Sequence, residues 1–365
     1  MKELPFALDF SLSQWREWTA RHELLPFCAE QIFQWIFQKG ALDPQDPASF
    51  TNLSFAARSL LSASFHWELP RMDCSLSSQD GSDKFILQTR DGHLFEMVLM
   101  PSAKRMTLCV SSQIGCKRGC SFCQTAKMGF KRNLSPGEIL SQWMVAKDLL
   151  KKREQSEKRI SHIVFMGMGE PLDNYDAVLQ AASILVDPKG GALSRSHVTI
   201  STAGHVPLIR ALAQALPLRL AVSLHSADDR VRSELMPINC LYPLKELKRA
   251  LLEYPAKREG ITFEYLLIEG KNDSLLDARR LVSFLHGLKA KVNLILFNHF
   301  PGSSFKRSQE KRVQAFQAYL AARFIPAPIR NSRAQDVSGG CGQLAAKREG
   351  ELHLDPRTLF KKRKK

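Results

Sequence analysis

The chain has 365 residues, 44% hydrophobic and 24% charged, with eight cysteines and a formal net charge of +16. That length can bury a large core in two or three domains, and no apolar run approaches the roughly 20 residues of a membrane span. Met1-Lys2-Glu3-Leu4-Pro5 lacks the basic-then-apolar layout of a signal peptide. Eight cysteines in so long a chain exclude a disulfide scaffold and indicate metal or redox chemistry in a reducing cytoplasm. The charge is uneven: residues 1–95 hold 8 Lys and Arg against 12 Asp and Glu, leaving 44 against 24 in residues 96–365. Such a field favours polyanions, RNA or DNA, and says nothing of sequence preference.

Residues 1–75 are expected to form a small helical accessory domain. Gln14–Arg21, Cys28–Gln38 and Phe55–Ser64 carry apolar residues at helical spacing, and Asp43-Pro44 and Asp46-Pro47 break the pattern between them. Trp15, Trp18, Phe33, Trp35, Ile36 and Phe37 suit a hydrophobic core better than a base-stacking platform, and the acidic balance argues against phosphate gripping here. Residues 76–104 predict a short β-meander, with turns at Asp80-Gly81 and Asp91-Gly92 and strands over Lys84–Thr89 and Leu94–Met100. Glu96 shares a strand face with Leu94, Val98 and Met100. An unpaired carboxylate is costly to bury there, so it either pairs with a structural arginine or faces a site.

Residues 105–330 alternate strands and helices. Strands are predicted at Met106–Val110, Ile160–Met166, Val198–Thr202, Leu218–Leu224, Thr262–Ile268 and Val292–Phe297. Helices are predicted at Glu138–Lys151, Tyr175–Val186, Val206–Ala215, Leu244–Glu253, Leu275–Leu288 and Ser308–Arg323. Ser135-Pro136-Gly137-Glu138 is a capping box with proline at the first helical position. The alternation implies a parallel sheet with right-handed crossovers, an α/β fold whose six units fit an open or partial barrel. Ligands then belong at the carboxyl ends of the strands. There lie Gly167-Met168-Gly169-Glu170-Pro171, Ser201, Ser223-Leu224-His225 and Asn298.

Cys109 stands at the end of the first of these strands, and the run Cys116-x3-Cys120-x2-Cys123 follows it, with Gly115 and Gly119 before the first two cysteines of that run. Thiolates suit zinc or iron–sulfur clusters. Structural zinc wants four protein ligands, and no histidine lies between Met106 and Arg159. Three thiolates suit a 4Fe–4S cluster that keeps one iron open; a zinc knuckle and three structural cysteines are the other readings. In residues 331–365, Gly339-Gly340-Cys341-Gly342 places a cysteine on a backbone that can approach another group closely, which suits a reactive thiol better than a structural cysteine. The basic tail Lys361–Lys365 is either polyanion-seeking or a solvated end.

Together these residues closely resemble the RlmN/Cfr family of radical S-adenosylmethionine (SAM) RNA methyltransferases. The resemblance runs from Gln31-x3-Trp35 to Cys341-Gly342-Gln343-Leu344. Its most specific pieces are Leu108–Gln113, the three spaced cysteines, Phe165–Leu172 and Leu235-Met236-Pro237-Ile238-Asn239. Pro171 and Phe297-Asn298-His299-Phe300-Pro301-Gly302 resemble the RlmN branch, which methylates adenosine C2, rather than the Cfr branch, which methylates C8.

The resemblance implies a radical SAM partial (β/α)6 barrel with a 4Fe–4S cluster on Cys116, Cys120 and Cys123 and two SAM molecules per turnover. The first would methylate Cys341. The second would be split at the cluster, and its deoxyadenosyl radical would take a hydrogen from that methyl, whose carbon then adds to the base. Cys109 would attack the Cys341 sulfur, forming a disulfide and releasing the product as Glu96 accepts the C2 proton. Gly169 and Glu170 would meet the methionine end of SAM, and Ser201, Ser223, Leu224, His225 and Asn298 the rest of it. His225 alone fits a satisfied core histidine equally well. Expected partners are 23S rRNA, tRNA and an electron-donating reductase or flavodoxin-type protein, for a cytoplasmic monomer off the membrane. The rival functions are C8 methylation, a radical activating or maturation enzyme, and a non-catalytic RNA-binding iron–sulfur protein.

Overall fold

A computed structural model of the chain describes residues 4–102, 105–153, 159–256, 259–299, 302–330, 344–346 and 348. The acidic N-terminal stretch folds into α1 (Leu12–Arg21), α2 (Phe27–Gln34), a π-helical turn Trp35–Lys39 that continues α2, and α3 (Phe55–Ser64). Ser11 and Ser54 cap α1 and α3 by accepting from backbone N–H groups in the first turn. Trp15, Trp18, Phe33, Trp35, Ile36 and Phe37 are all buried, so these side chains are core and no stacking surface.

The chain then enters one ten-stranded sheet through β1 (Arg71–Ser77), β2 (Asp83–Gln88), β3 (Leu94–Ser102) and β4 (Arg105–Cys109), all antiparallel. From β4 the sheet continues parallel through β7 (Arg159–Phe165), β8 (Val198–Thr202), β9 (Arg219–Ser223), β10 (Ile261–Leu267), β11 (Ala290–Leu296) and the short β12 (Ile329–Arg330). The six predicted strands are therefore adjacent and in chain order. Between β4 and β7 the chain forms the two-stranded β5 (Gln113–Gly115) and β6 (Phe130–Asn133), flanking the single turn α4 (Gln124–Lys127), and then α5 (Pro136–Lys152). Later crossovers carry α6 (Tyr175–Val186), α7 (Val206–Ala215), α8 (Asp229–Leu235), α9 (Leu244–Glu253) and α10 (Leu275–Leu285), with α11 (Glu310–Ala321) before β12.

Strand alternation separates two faces. Leu108, Ile163, Ile200, Val222, Phe263 and Leu294 share the main core with helix residues such as Ile139, Trp143 and Val178. The opposite set, including Cys109, Val164, Thr199, Thr262 and Asn293, lines a cavity of about 640 Å³. The N-terminal helices join the same core. Asp9 also accepts from the Gly137 N–H at 2.7 Å, where the positive end of α5 favours an anion. Ser135 and Glu138 make the predicted capping box. Among the described residues no helix is long and apolar enough to cross a membrane.

Candidate active site

Cys116, Cys120 and Cys123 all line the cavity at the carboxyl ends of the strands. Their loop is fixed by β5 and β6. Gly115 has φ +75°, and a Cβ there would lie 1.7 Å from the Gly129 carbonyl oxygen, so only glycine fits. Gly129 O also accepts from the Cys116 N–H at 3.1 Å. Arg118 pairs with Asp173, tying the loop to the turn after β7. Burial pushes the Cys116 thiol up to about 11 and raises Cys120 and Cys123 as well. Among the described residues no three His, Cys, Asp or Glu side chains are arranged around a single metal ion. Three thiols facing one cavity are a donor set that fits an iron–sulfur cluster. The iron's charge would keep the buried sulfurs deprotonated.

The conspicuous motif after β7 packs on the segment following β4. Ser111 Oγ accepts from the Met168 N–H at 2.9 Å, the Ser112 N–H donates to Met168 O at 2.9 Å, and the Glu170 N–H donates to Gln113 Oε1 at 2.8 Å. Gly169 has φ +97°, and its Cβ would stand 2.5 Å from that of Gln113. The two stretches specify each other. Glu170 is buried, with Oε1 accepting from the Leu172 N–H at 3.1 Å and Oε2 from the Ala203 N–H at 2.7 Å. Burial raises its pKa, partly opposed by those donors.

Gly169, Glu170, Ser201, Ser223, His225 and Asn298 all line the cavity. Leu224 does not: its side chain is fully buried, and its backbone carbonyl accepts from Arg232 Nε at 3.1 Å. His225 sits at φ +56° with Nδ1 accepting from the Leu266 N–H at 3.0 Å. Burial, reinforced by Arg232, lowers its pKa to about 3. The ring is neutral with its proton on Nε2, and it meets Phe122 edge-on. It is thus at once a satisfied buried histidine and a wall of the cavity.

Glu96 is 2% exposed and pairs with Lys84 Nζ at 3.0 Å. The expected structural arginine is instead a lysine on the neighbouring strand, and the pair also lines the cavity. Glu96 is thus both paired and on the cavity wall. Register places Lys84 opposite Val98 and Val98 opposite Cys109, so Lys84, Glu96 and Cys109 share the cavity face. Burial pushes the Cys109 thiol up to about 12; the Met166 backbone N–H and Lys84 act against that rise, and Glu96 adds to it. The Ala345 N–H donates to Glu96 Oε1 at 2.7 Å. Cys341 lies outside the described residues.

Sequence reasoning missed Lys84 and Arg232. Arg232 is fully buried and donates to Ala203 O at 2.6 Å, Ser223 O at 3.2 Å and Asn239 Oδ1 at 2.8 Å besides Leu224 O. Asn239, at the end of a stretch singled out above, was the available signal.

Residues 110–282 match the family model "Radical SAM superfamily", and residues 7–66 match "Ribosomal RNA large subunit methyltransferase N-terminal domain". The chain is 44% identical over 340 residues to the dual-specificity RNA methyltransferase RlmN of Syntrophobacter fumaroxidans, covering 93% of this chain and 97% of that protein. It is also 44% identical to the protein of the same name from a Nitratiruptor species, over 90% of this chain and 96% of the relative. The crystal structure of a radical SAM methyltransferase from Sphaerobacter thermophilus superposes with a TM-score of 0.85 at 37% identity, covering 94% of this chain and 99% of that one. The chain belongs to the RlmN family of RNA methyltransferases within the radical SAM superfamily.

Proposed function

We propose that this chain methylates C2 of adenosine in 23S rRNA and in tRNA through a methylated Cys341. The observation that carries this reading is the placement of Lys84, Glu96 and Cys109 on one sheet face, opening on the cavity that Cys116, Cys120 and Cys123 also line. An RNA substrate is supported by the names of the relatives, dual-specificity RNA methyltransferases, and by the excess of positive charge after residue 95.

Cys116, Cys120 and Cys123 would hold a 4Fe–4S cluster beside the SAM pocket. When bound, cluster and SAM supply the deoxyadenosyl radical that activates the methyl on Cys341. Gly169 presents backbone and Glu170 a carboxylate to the methionine end. Ser201, Ser223, neutral His225 and Asn298 line the remainder, and Leu224 acts through a backbone that Arg232 holds. The activated carbon adds to C2, and the adduct gives up one electron to the electron carrier and its C2 proton to Glu96. Cys109 then attacks the Cys341 sulfur. An S–S bond forms, the sulfur–methylene bond breaks, and the electron pair left on carbon takes a proton to complete the methyl group. A cytoplasmic monomer served by a reductase or flavodoxin-type protein completes the proposal.

The test is anaerobic incubation of reconstituted protein with SAM, a reductant and either rRNA fragments or tRNA, followed by nucleoside mass spectrometry. 2-Methyladenosine is expected. 8-Methyladenosine, or SAM cleavage with no methylated RNA, would overturn the proposal.

A further inference from the structure

The interior of β2 is apolar apart from one residue. Phe85, Ile86 and Leu87 are each at most 1% exposed, and Lys84 beside them is equally buried at 1%. Its ammonium meets Glu96 at 3.0 Å. A buried ion pair is a poor stabilising device, because apolar side chains of similar volume commonly serve a fold as well or better. Stability therefore does not explain why a lysine stands here. Its position does. It is on the cavity wall, in the same lateral row as Cys109 with Val98 between them. Two strand spacings are about 10 Å, which a lysine side chain spans in large part.

We infer that Lys84 is a positioning residue for the closing half of methyl transfer, holding the Glu96 carboxylate on the cavity wall and then serving as counter-ion to the Cys109 sulfur. This rests on the proposed two-cysteine chemistry and adds an order to it. While Glu96 is anionic, it occupies Lys84 and repels a thiolate beside it. Once Glu96 takes the C2 proton, it no longer competes with the Cys109 sulfur for the positive charge of Lys84. The Cys109 thiol can then lose its proton, in balance with the one taken up by the departing methylene carbon. Proton transfer thus primes the thiol that must act next, and Cys109 stays inert before a base is attached. The influence of both Lys84 and Glu96 on the Cys109 thiol agrees with this arrangement.

The test compares full-length Lys84→Met, Lys84→Arg, Glu96→Gln and Lys84→Met/Glu96→Gln proteins. First, in a Cys341→Ser background that precludes the disulfide, alkylation of Cys109 by iodoacetamide at pH 8 is followed by peptide mass spectrometry. Lys84→Met should slow it about tenfold and Lys84→Arg should restore most of it. Glu96→Gln should speed it, and adding Lys84→Met should cancel that gain. The double variant removes both charges of the pair together, so it reads the effect even where Lys84→Met alone folds poorly. Second, with Cys341 intact, single-turnover reactions with RNA should show Lys84→Met accumulating a covalent protein–RNA species while methylation of Cys341 is unchanged. Alkylation indifferent to residue 84 in both backgrounds would overturn the inference, as would loss of Cys341 methylation or resolution of the adduct at the normal rate. A Cys109→Ala protein that never forms the covalent species would instead overturn the underlying reaction, and the alkylation rates would still report on Lys84.

Discussion

Arg232 and Asn239 hold each other at 2.8 Å inside the wall between β8 and β9, the guanidinium donating to the amide oxygen. The remaining donors of Arg232 secure the carbonyls of Ala203, Ser223 and Leu224. One side chain thus fixes the carboxyl ends of two strands that carry proposed SAM-contacting residues.

Arg232→Leu should remove about 3 kcal/mol or more of stability, since buried acceptors left unpaired cost about 1–3 kcal/mol each. Arg232→Lys should recover part of this, because an ammonium cannot reproduce the planar fork. Both proteins should also bind SAM more weakly. Denaturant midpoints and equilibrium dialysis measure the two effects, and an unchanged midpoint in Arg232→Leu would contradict the assigned role.

Replacing Cys116, Cys120 or Cys123 with Ala should abolish reductive cleavage of SAM and the visible absorption of the reconstituted cluster. Cys341 should then be isolated unmethylated if the cluster helps to position the methyl donor. A triple variant that still releases deoxyadenosine would sink the cluster assignment.

Cys109→Ala should keep the cluster, the methylation of Cys341 and the first radical step, yet leave protein and RNA covalently joined. The double replacement of Cys109 and Cys341 should show no such species on a denaturing gel. Were Cys109 only a packed strand residue, alanine would cost about 1 kcal/mol and leave multiple turnover intact.

His225 carries a sign-specific pH dependence. Its folded pKa is depressed to about 3 from 6.5, so between those values the unfolded chain binds a proton that the folded chain refuses. Above pH 6.5 both states are neutral and nothing is lost. Below it, stability falls with pH by at most about 1.4 kcal/mol per unit from this group. His225→Gln, which keeps an acceptor, should flatten the decline between pH 6.5 and 4 in denaturant titrations. Parallel curves for the two proteins would show that the ring is not held neutral.

RNA binding should weaken steeply with salt and depend on the region after residue 95. Each phosphate contact removed by a Lys or Arg replacement should lower the slope of log affinity against log salt by roughly 0.7–0.9. Affinities barely changing between low and physiological salt would argue against an electrostatic grip.

Much of this architecture was legible in the residues. Tyr175–Val186, Val206–Ala215 and Leu244–Glu253 appear with the expected boundaries, because their apolar spacing is regular. The C-x3-C-x2-C run announced itself by spacing alone. What escaped was non-local. Arg232 is bonded mostly to carbonyls at the ends of β8 and β9, which no pattern along the chain reveals, and α8 has too few apolar residues for a helical stripe. Lys84 and Glu96 meet only once the β2–β3 register is known. The short β12 is two residues long and exists only through its neighbour β11.

The ladder between β3 and β4 carries one further consequence. Glu96 and Cys109 stand on opposite sides of the hairpin that joins the meander to the barrel, and Val98 is paired directly with Cys109. The barrel cannot be exchanged as a cassette at that hairpin. A chimera cut there would inherit one of these groups from each parent, and a slip of one residue in the graft would turn Glu96 to the opposite face of the sheet. Recombination within the family should therefore lose activity with breakpoints between Glu96 and Cys109 that shift this register, even where every strand still forms.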